Sequence, residues 1–204
     1  DGCTPRFVAL QPDERVTVLL WDYKRRTREL AGDQLYLDDP PHLTVYLAVF
    51  PAGTSLTSLL RPVPPPRVRL LVWHVFEADA LTGLHTLVCD IHPDDQRALR
   101  EIQGHVVETV APHREHAATL ARFGPRLGQL GEEQAGNVRR HGFPYLGDGW
   151  IPHFTVASIR PADWDRVYSA LRDDPPVGEF NCTAIKEYEL VEEKPRLVGT
   201  VELE

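Results

Sequence analysis

One short pattern occurs twice in this chain, about 110 residues apart: Pro41-His42-Leu43-Thr44-Val45 and Pro152-His153-Phe154-Thr155-Val156. In each copy the residues after the histidine are apolar or β-branched, so each reads as a strand. Side chains two apart on a strand project to the same face. His42 with Thr44, and His153 with Thr155, are therefore expected to line a cleft, while Leu43, Val45, Phe154 and Val156 face a core. With nine histidines and 17 serines and threonines, roughly one such tripeptide is expected by chance, so the flanking residues carry the signal. Tyr36-Leu37-Asp38-Asp39-Pro40-Pro41-His42 and Tyr145-Leu146-Gly147-Asp148-Gly149-Trp150-Ile151-Pro152-His153 both run Tyr-Leu, an Asp, a turn, then Pro-His. The likeness continues beyond each motif, with Pro51 and then Thr54 to Leu60, against Pro161 and then Ala162 to Leu171. Both copies read as strand, proline break, helix.

The whole chain, residues 1–204, is read as one unit in which strands and helices mix without a regular strand-helix-strand alternation. Arg6 to Leu10 reads as a strand, and Asp13 caps a helix with Val16, Leu19, Leu20 and Tyr23 on one face. Arg67 to Phe76 and Leu84 to Ile91 are further strands. Asp94 or Asp95 opens a helix with Leu99, Ile102, Val106 and Val110 on one stripe, ending before Pro112. Residues 113–149 are richer in Gly and Arg and read as a flexible insertion beside the cleft. A helix from Asp163 to Leu171 and strands near 181–190 and 196–203 follow. The expected class is α+β with antiparallel sheets.

Charge and cysteine usage narrow the function classes. A net charge of -8 disfavours gripping a long nucleic acid through its phosphates, so no stable duplex binding is expected. Cys3, Cys89 and Cys182 are scattered and form no C-x-x-C pair, which points to a reduced, cytoplasmic setting. With no run of 18 apolar residues and no charged-then-apolar leader, neither a membrane span nor secretion is expected.

The paired Pro-His-x-Thr-hydrophobic strands, their separation and the strand Phe7-Val8-Ala9-Leu10 ahead of a helix resemble the two-histidine phosphoesterase superfamily, which includes 2′-5′ RNA ligase-like proteins and RNA 2′,3′-cyclic phosphodiesterases. That resemblance covers nearly the whole chain. It implies a bilobed, pseudo-twofold α+β fold with one motif per lobe, facing across a central groove. Many relatives carry an Arg five residues beyond the second histidine, where this chain has Ser158; Arg160 lies nearby but on the opposite face of a regular strand.

The chemistry suits these residue types. Cleaving a cyclic phosphodiester requires a proton taken from water and another delivered to the leaving ribose oxygen, and two imidazoles titrating near pH ~6.5 can hold those opposite states. Thr44 and Thr155 hydroxyls can stabilise charge on the non-bridging oxygens, and neither a metal nor another cofactor is required. The resemblance implies His42 as general acid and His153 as general base. Tyr46, two beyond Thr44, is expected on its face as a substrate contact, and Tyr36 and Trp150 are further candidates on the loops that lead into each motif; all three read equally as packed residues of the core or of a lobe edge. The substrate would be an RNA end or a small cyclic nucleotide, and the protein a monomer.

Three alternatives stay open at this stage. The same residues serve 2′-5′ ligation or 2′-5′ phosphodiester cleavage, or the chain is a catalytically silent module that binds nucleotides or RNA ends. His92-Pro93-Asp94-Asp95, with His113 and His116, resembles the signature of zinc-dependent deacetylases, although Gln96 stands where those enzymes have Glu. The same four residues equally suit an ordinary helix start. Arg114, Arg122, Arg126 and Arg139-Arg140-His141 make the 113–141 stretch basic, either as a steering patch or as a solvated helix face.

Overall fold

The computed structural model describes residues 2–204. β1 (Cys3–Pro12) passes directly into α1 (Glu14–Ala31). Asp13 makes that junction: its backbone is extended and its Oδ1 accepts from the Val16 N–H at 3.1 Å, satisfying a donor that the first helical turn leaves open. The other strands are β2 (Leu43–Pro51), β3 (Arg67–Phe76), β4 (His85–Ile91), β5 (His153–Ile159), β6 (Gly178–Val191) and β7 (Lys194–Glu202). Their order is β2-β1-β6-β3-β4-β5, with β7 added to β6, and every pairing is antiparallel.

The 14-residue β6 belongs to both halves of the molecule. Its first residues, Gly178 to Asn181, pair with β3, and from Cys182 onward it pairs with β1 and β7. One lobe is thus β2, β1 and the later part of β6, and the other is β5, β4, β3 and its beginning. Although β2 and β5 are the two ends of the strand path, they contact each other without a ladder between them. The sheet bends far enough to bring its outermost strands, the two motif strands, side by side.

Each lobe sends its helix to the other. α1 follows β1 but packs on β5 and on α5 (Pro161–Leu171), whereas α2 (Pro93–Val110) follows β4 but packs on β2. Leu99, Ile102, Val106 and Val110 of α2 are all buried, the stripe expected from their spacing. One continuous core runs from Val16 and Leu20 of α1 through Leu43, Val45, Phe154 and Val156 to Val167 and Leu171 of α5. Burying each of these larger side chains contributes roughly 1.5–3 kcal/mol. None of the described helices is long and apolar enough to cross a membrane.

Two segments differ from expectation. Residues 54–60 form turns rather than a helix, because the buried Glu187 carboxylate captures the N–H groups of Leu56 and Thr57 at 2.9 and 3.0 Å and fixes them to the sheet. The strand-break-helix repeat therefore completes only in the second copy. Within residues 113–149, expected as an insertion, the chain forms α3 (His116–Phe123) and α4 (Glu132–His141). Phe123, Val138 and Phe143 from this segment are buried in the core, and Gly142 ends α4 at φ 83°.

Candidate functional site

The two motif histidines are built alike. His42 immediately precedes β2 and His153 opens β5, and each donates its Nδ1–H to the carbonyl two residues earlier, Pro40 and Ile151 respectively, at 2.6 Å in both cases. Pro41 and Pro152 stand between, and a proline holds the residue before it in extended backbone, which presents that carbonyl to the ring. With Nδ1 fixed as the donor, Nε2 of each neutral imidazole is left with its lone pair available. An aromatic backs each ring: Phe7 lies 5.1 Å from the His42 ring, and Phe76 meets the His153 ring edge-on at 5.1 Å.

A bulge follows each motif at the same position. On β2 the register passes from Thr44 to Tyr46 opposite adjacent residues of β1, leaving Val45 unpaired, and on β5 it passes from Thr155 to Ala157, leaving Val156 unpaired. Ahead of the bulge the alternation is as expected, with His42, Thr44, His153 and Thr155 half-buried and Leu43, Val45, Phe154 and Val156 fully buried. The extra residue then shifts the phase of the strand. Tyr46 consequently turns into the core, contrary to its expected place beside Thr44. It is fully buried, its hydroxyl donates to the His141 carbonyl, and its ring meets Phe143 edge-on at 5.8 Å. Ser158 is likewise fully buried, sharing hydroxyl hydrogen bonds with Thr86 and Thr82, and Arg160 is held at the surface by Asp163 at 3.0 Å. Neither supplies an Arg contact to the site.

Both histidines and both threonines border one groove of about 590 Å³. Tyr36 and Trp150 border it too, Tyr36 at a φ of 75° that turns its backbone sharply, Trp150 only 2% exposed. Arg122 and Arg126 of the basic stretch border it as well, and further lining residues were not singled out from sequence: Tyr145, Phe76, Asp79 and Lys24. The repeat itself marks Tyr145, since it stands where Tyr36 stands in the first copy. Nothing local marks Asp79, which reaches the groove from the β3–β4 loop and accepts from the Thr86 hydroxyl at 2.7 Å. Lys24 lies on the buried stripe of α1, one turn after Leu20.

The rings keep a partly exposed edge, yet the surrounding atoms strip most of their water. Burial lowers the pKa of His42 to about 4; the Pro40 carbonyl opposes that shift, while the positive charge of Lys24 and a protonated His153 add to it. Burial also lowers His153, where the Ile151 carbonyl, Asp79 and Asp90 favour the proton and His74 opposes it. Tyr36 and Tyr145 are pushed up to about 12 by burial and serve as neutral phenols. At neutral pH the groove therefore holds two neutral imidazoles beside a lysine.

Outside the groove, the His-Pro-Asp-Asp segment starts α2. His92 Nδ1 accepts from the Asp94 N–H at 3.2 Å, Pro93 takes the first turn, and Asp95 receives Arg69 through both oxygens at 3.0 and 3.1 Å. Among the described residues, no three His, Cys, Asp or Glu side chains are grouped so as to hold a metal ion. The basic stretch is divided: Arg114 is buried against the Ala111 and Arg140 carbonyls, Arg122 pairs with Glu193 at 2.9 Å, and Arg126 borders the groove.

A family model described as the 2′-5′ RNA ligase superfamily matches residues 17–191. No curated protein sequence matches the chain. Among solved structures, the chain is similar to TT0787 of Thermus thermophilus, with 18% identity over 98% of this chain and 97% of that one and a TM-score of 0.55. It is also similar to E. coli LigT complexed with NADP+, with 15% identity over 98% of both chains and a TM-score of 0.53. These likenesses establish a shared fold across the full length of both neighbours. The family model, matched over most of the chain, shows that the chain belongs to the 2′-5′ RNA ligase superfamily, the two-histidine phosphoesterases.

Proposed function

We propose that this protein is a metal-independent phosphodiesterase that hydrolyses a 2′,3′-cyclic phosphate, at an RNA end or in a small nucleotide. The observation that carries this reading is the matched pair of imidazoles, each fixed through Nδ1 by a carbonyl two residues back and each bordering the same groove. In the proposed reaction one Nε2 takes a proton from water as its oxygen forms a bond to phosphorus. The other imidazole, carried as imidazolium, gives its proton to the ribose oxygen as the P–O bond breaks. Thr44 and Thr155 hydroxyls donate to the non-bridging oxygens, where negative charge grows.

The resemblance assigns the acid to His42 and the base to His153. Within the protein alone, Asp79 and Asp90 favour a proton on His153, whereas Lys24 opposes one on His42. Placing the proton on His42 therefore requires the bound phosphate anion to reverse that order. The groove volume falls in the range that suits a nucleotide-sized ligand. Glu77, Asp79 and Glu193 at its border, with the overall charge of -8, favour a single anionic end over a long track of phosphates.

The test is hydrolysis of 2′,3′-cyclic mononucleotides and of an oligonucleotide ending in a cyclic phosphate, with EDTA present, by wild type, His42→Ala and His153→Ala. The expected result is turnover by wild type and a loss on the order of 10²- to 10⁴-fold in each variant. Wild-type activity abolished by EDTA would contradict the metal-independent mechanism, and inertness toward every one of these esters would contradict the substrate class.

A further inference from the structure

Lys24 stands where an aliphatic residue is expected. It shares the inward stripe of α1 with Val16, Leu20, Tyr23 and Thr27, and it is 2% exposed. Lysines are rarely buried to this degree without a carboxylate partner, and among the described residues Lys24 forms no ion pair within 4.0 Å. Its ammonium instead donates to two backbone carbonyls, Tyr36 at 2.6 Å and Val156 at 3.0 Å. Both carbonyls belong to irregular backbone at the site: Tyr36 has left-handed φ in the loop leading to the first motif, and Val156 is the unpaired bulge residue directly after Thr155. Two of the three ammonium hydrogens are thus used to tie the approach to one motif onto the strand of the other, and Lys24 itself borders the groove.

We propose that Lys24 supplies positive charge to the floor of this site, beside Arg126 at its border, as a positioning residue that locks the Tyr36 turn to the β5 bulge and draws a phosphate group in between His42 and His153. The inference rests on the reading of the groove as a phosphate-ester site. It also accounts for how a groove without an Arg from either motif strand attracts an anion: Ser158 and Leu47 occupy the positions beyond the two bulges, and the charge arrives from the helix beneath them. The charged and titratable groups around the ammonium are Asp38 and Asp39 from the loop before β2, Arg28 on α1, Cys89 on β4, and His42. Cys89 is a neutral thiol, its pKa raised by burial. Burial lowers the pKa of Lys24 to about 8. It is then the groove residue expected to titrate between pH 7 and 10, because the histidines are already neutral and Tyr36 and Tyr145 titrate higher.

Lys24→Met keeps the length of the side chain and removes the charge. Binding of 3′-AMP and the His42 titration followed by NMR are measured in wild type and K24M across the pH range. The expected results are roughly tenfold or greater weakening of 3′-AMP binding in K24M and a His42 midpoint higher than in wild type. Wild-type affinity should fall as pH rises past about 8, where the phosphate monoester is already dianionic, and the fall should be absent in K24M. Unchanged affinity together with an unchanged His42 midpoint overturns the proposal. Should K24M fail to fold, the wild-type series decides alone, and an affinity that stays flat from pH 7 to 10 overturns it. If wild type binds no 3′-AMP, the phosphate-ester reading of the groove fails; the charge of Lys24 is then judged by the His42 midpoint, which must shift in K24M.

Discussion

Thr44 and Thr155 present hydroxyls to the groove on the same strand face as the two imidazoles, and their proposed work is confined to the moment when charge builds on phosphate. Thr44→Val and Thr155→Val preserve shape and β-branching while removing the donor. Each is expected to lower kcat by roughly 10²-fold, the usual effect of deleting one such donor, with KM changed much less. Steady-state kinetics of the two variants read this directly, and a rise in KM at unchanged kcat would instead make the hydroxyls simple binding groups. These four residues were legible from sequence because alternation with period two holds between each histidine and its threonine. Tyr46 was not, since one unpaired residue at Val45 shifts the strand by a face, and a bulge leaves no mark in the local pattern. Lys24 was hidden for a different reason: a lysine beside an apolar stripe normally extends to solvent, and only the arrival of the Tyr36 and Val156 carbonyls makes burial of its ammonium possible.

At the scale of elements, the strands and long helices followed from periodicity and caps, as with Asp13 at α1 and the Leu99 to Val110 stripe of α2. The turn at residues 54–60 did not, because its conformation is dictated by a carboxylate far away in sequence. Glu187, 1% exposed, accepts from Arg6 Nη1 at 2.7 Å, from the N–H groups of Leu56 and Thr57, and from the Thr57 hydroxyl at 3.2 Å. This one group joins β1, β6 and the turn that follows β2. Glu187→Ala strands the buried Arg6 charge and two backbone donors, and the expected loss is about 3–5 kcal/mol of folding stability. Urea denaturation of the variant checks it; a loss below about 1 kcal/mol would mean that the cluster is merely a surface-like pair.

For the whole molecule, the repeat in the sequence corresponds to two lobes, but the chain does not keep them separate. β6 passes through both, and α1 and α2 each cover the motif strand of the opposite lobe. Neither exchange is visible in a single sequence, since each depends on contacts between elements far apart along the chain. The consequence is geometric: the groove exists only where the ends of the strand path meet, so His42 and His153 border one groove rather than two. The most direct measurement is kcat/KM on a cyclic-phosphate substrate for His42→Ala, His153→Ala and the double variant. If the two imidazoles act in one concerted proton exchange, each single substitution falls at least roughly 100-fold and the double variant falls less than about tenfold further. Losses that multiply in the double variant, or wild-type turnover in either single variant, would contradict the two-histidine site.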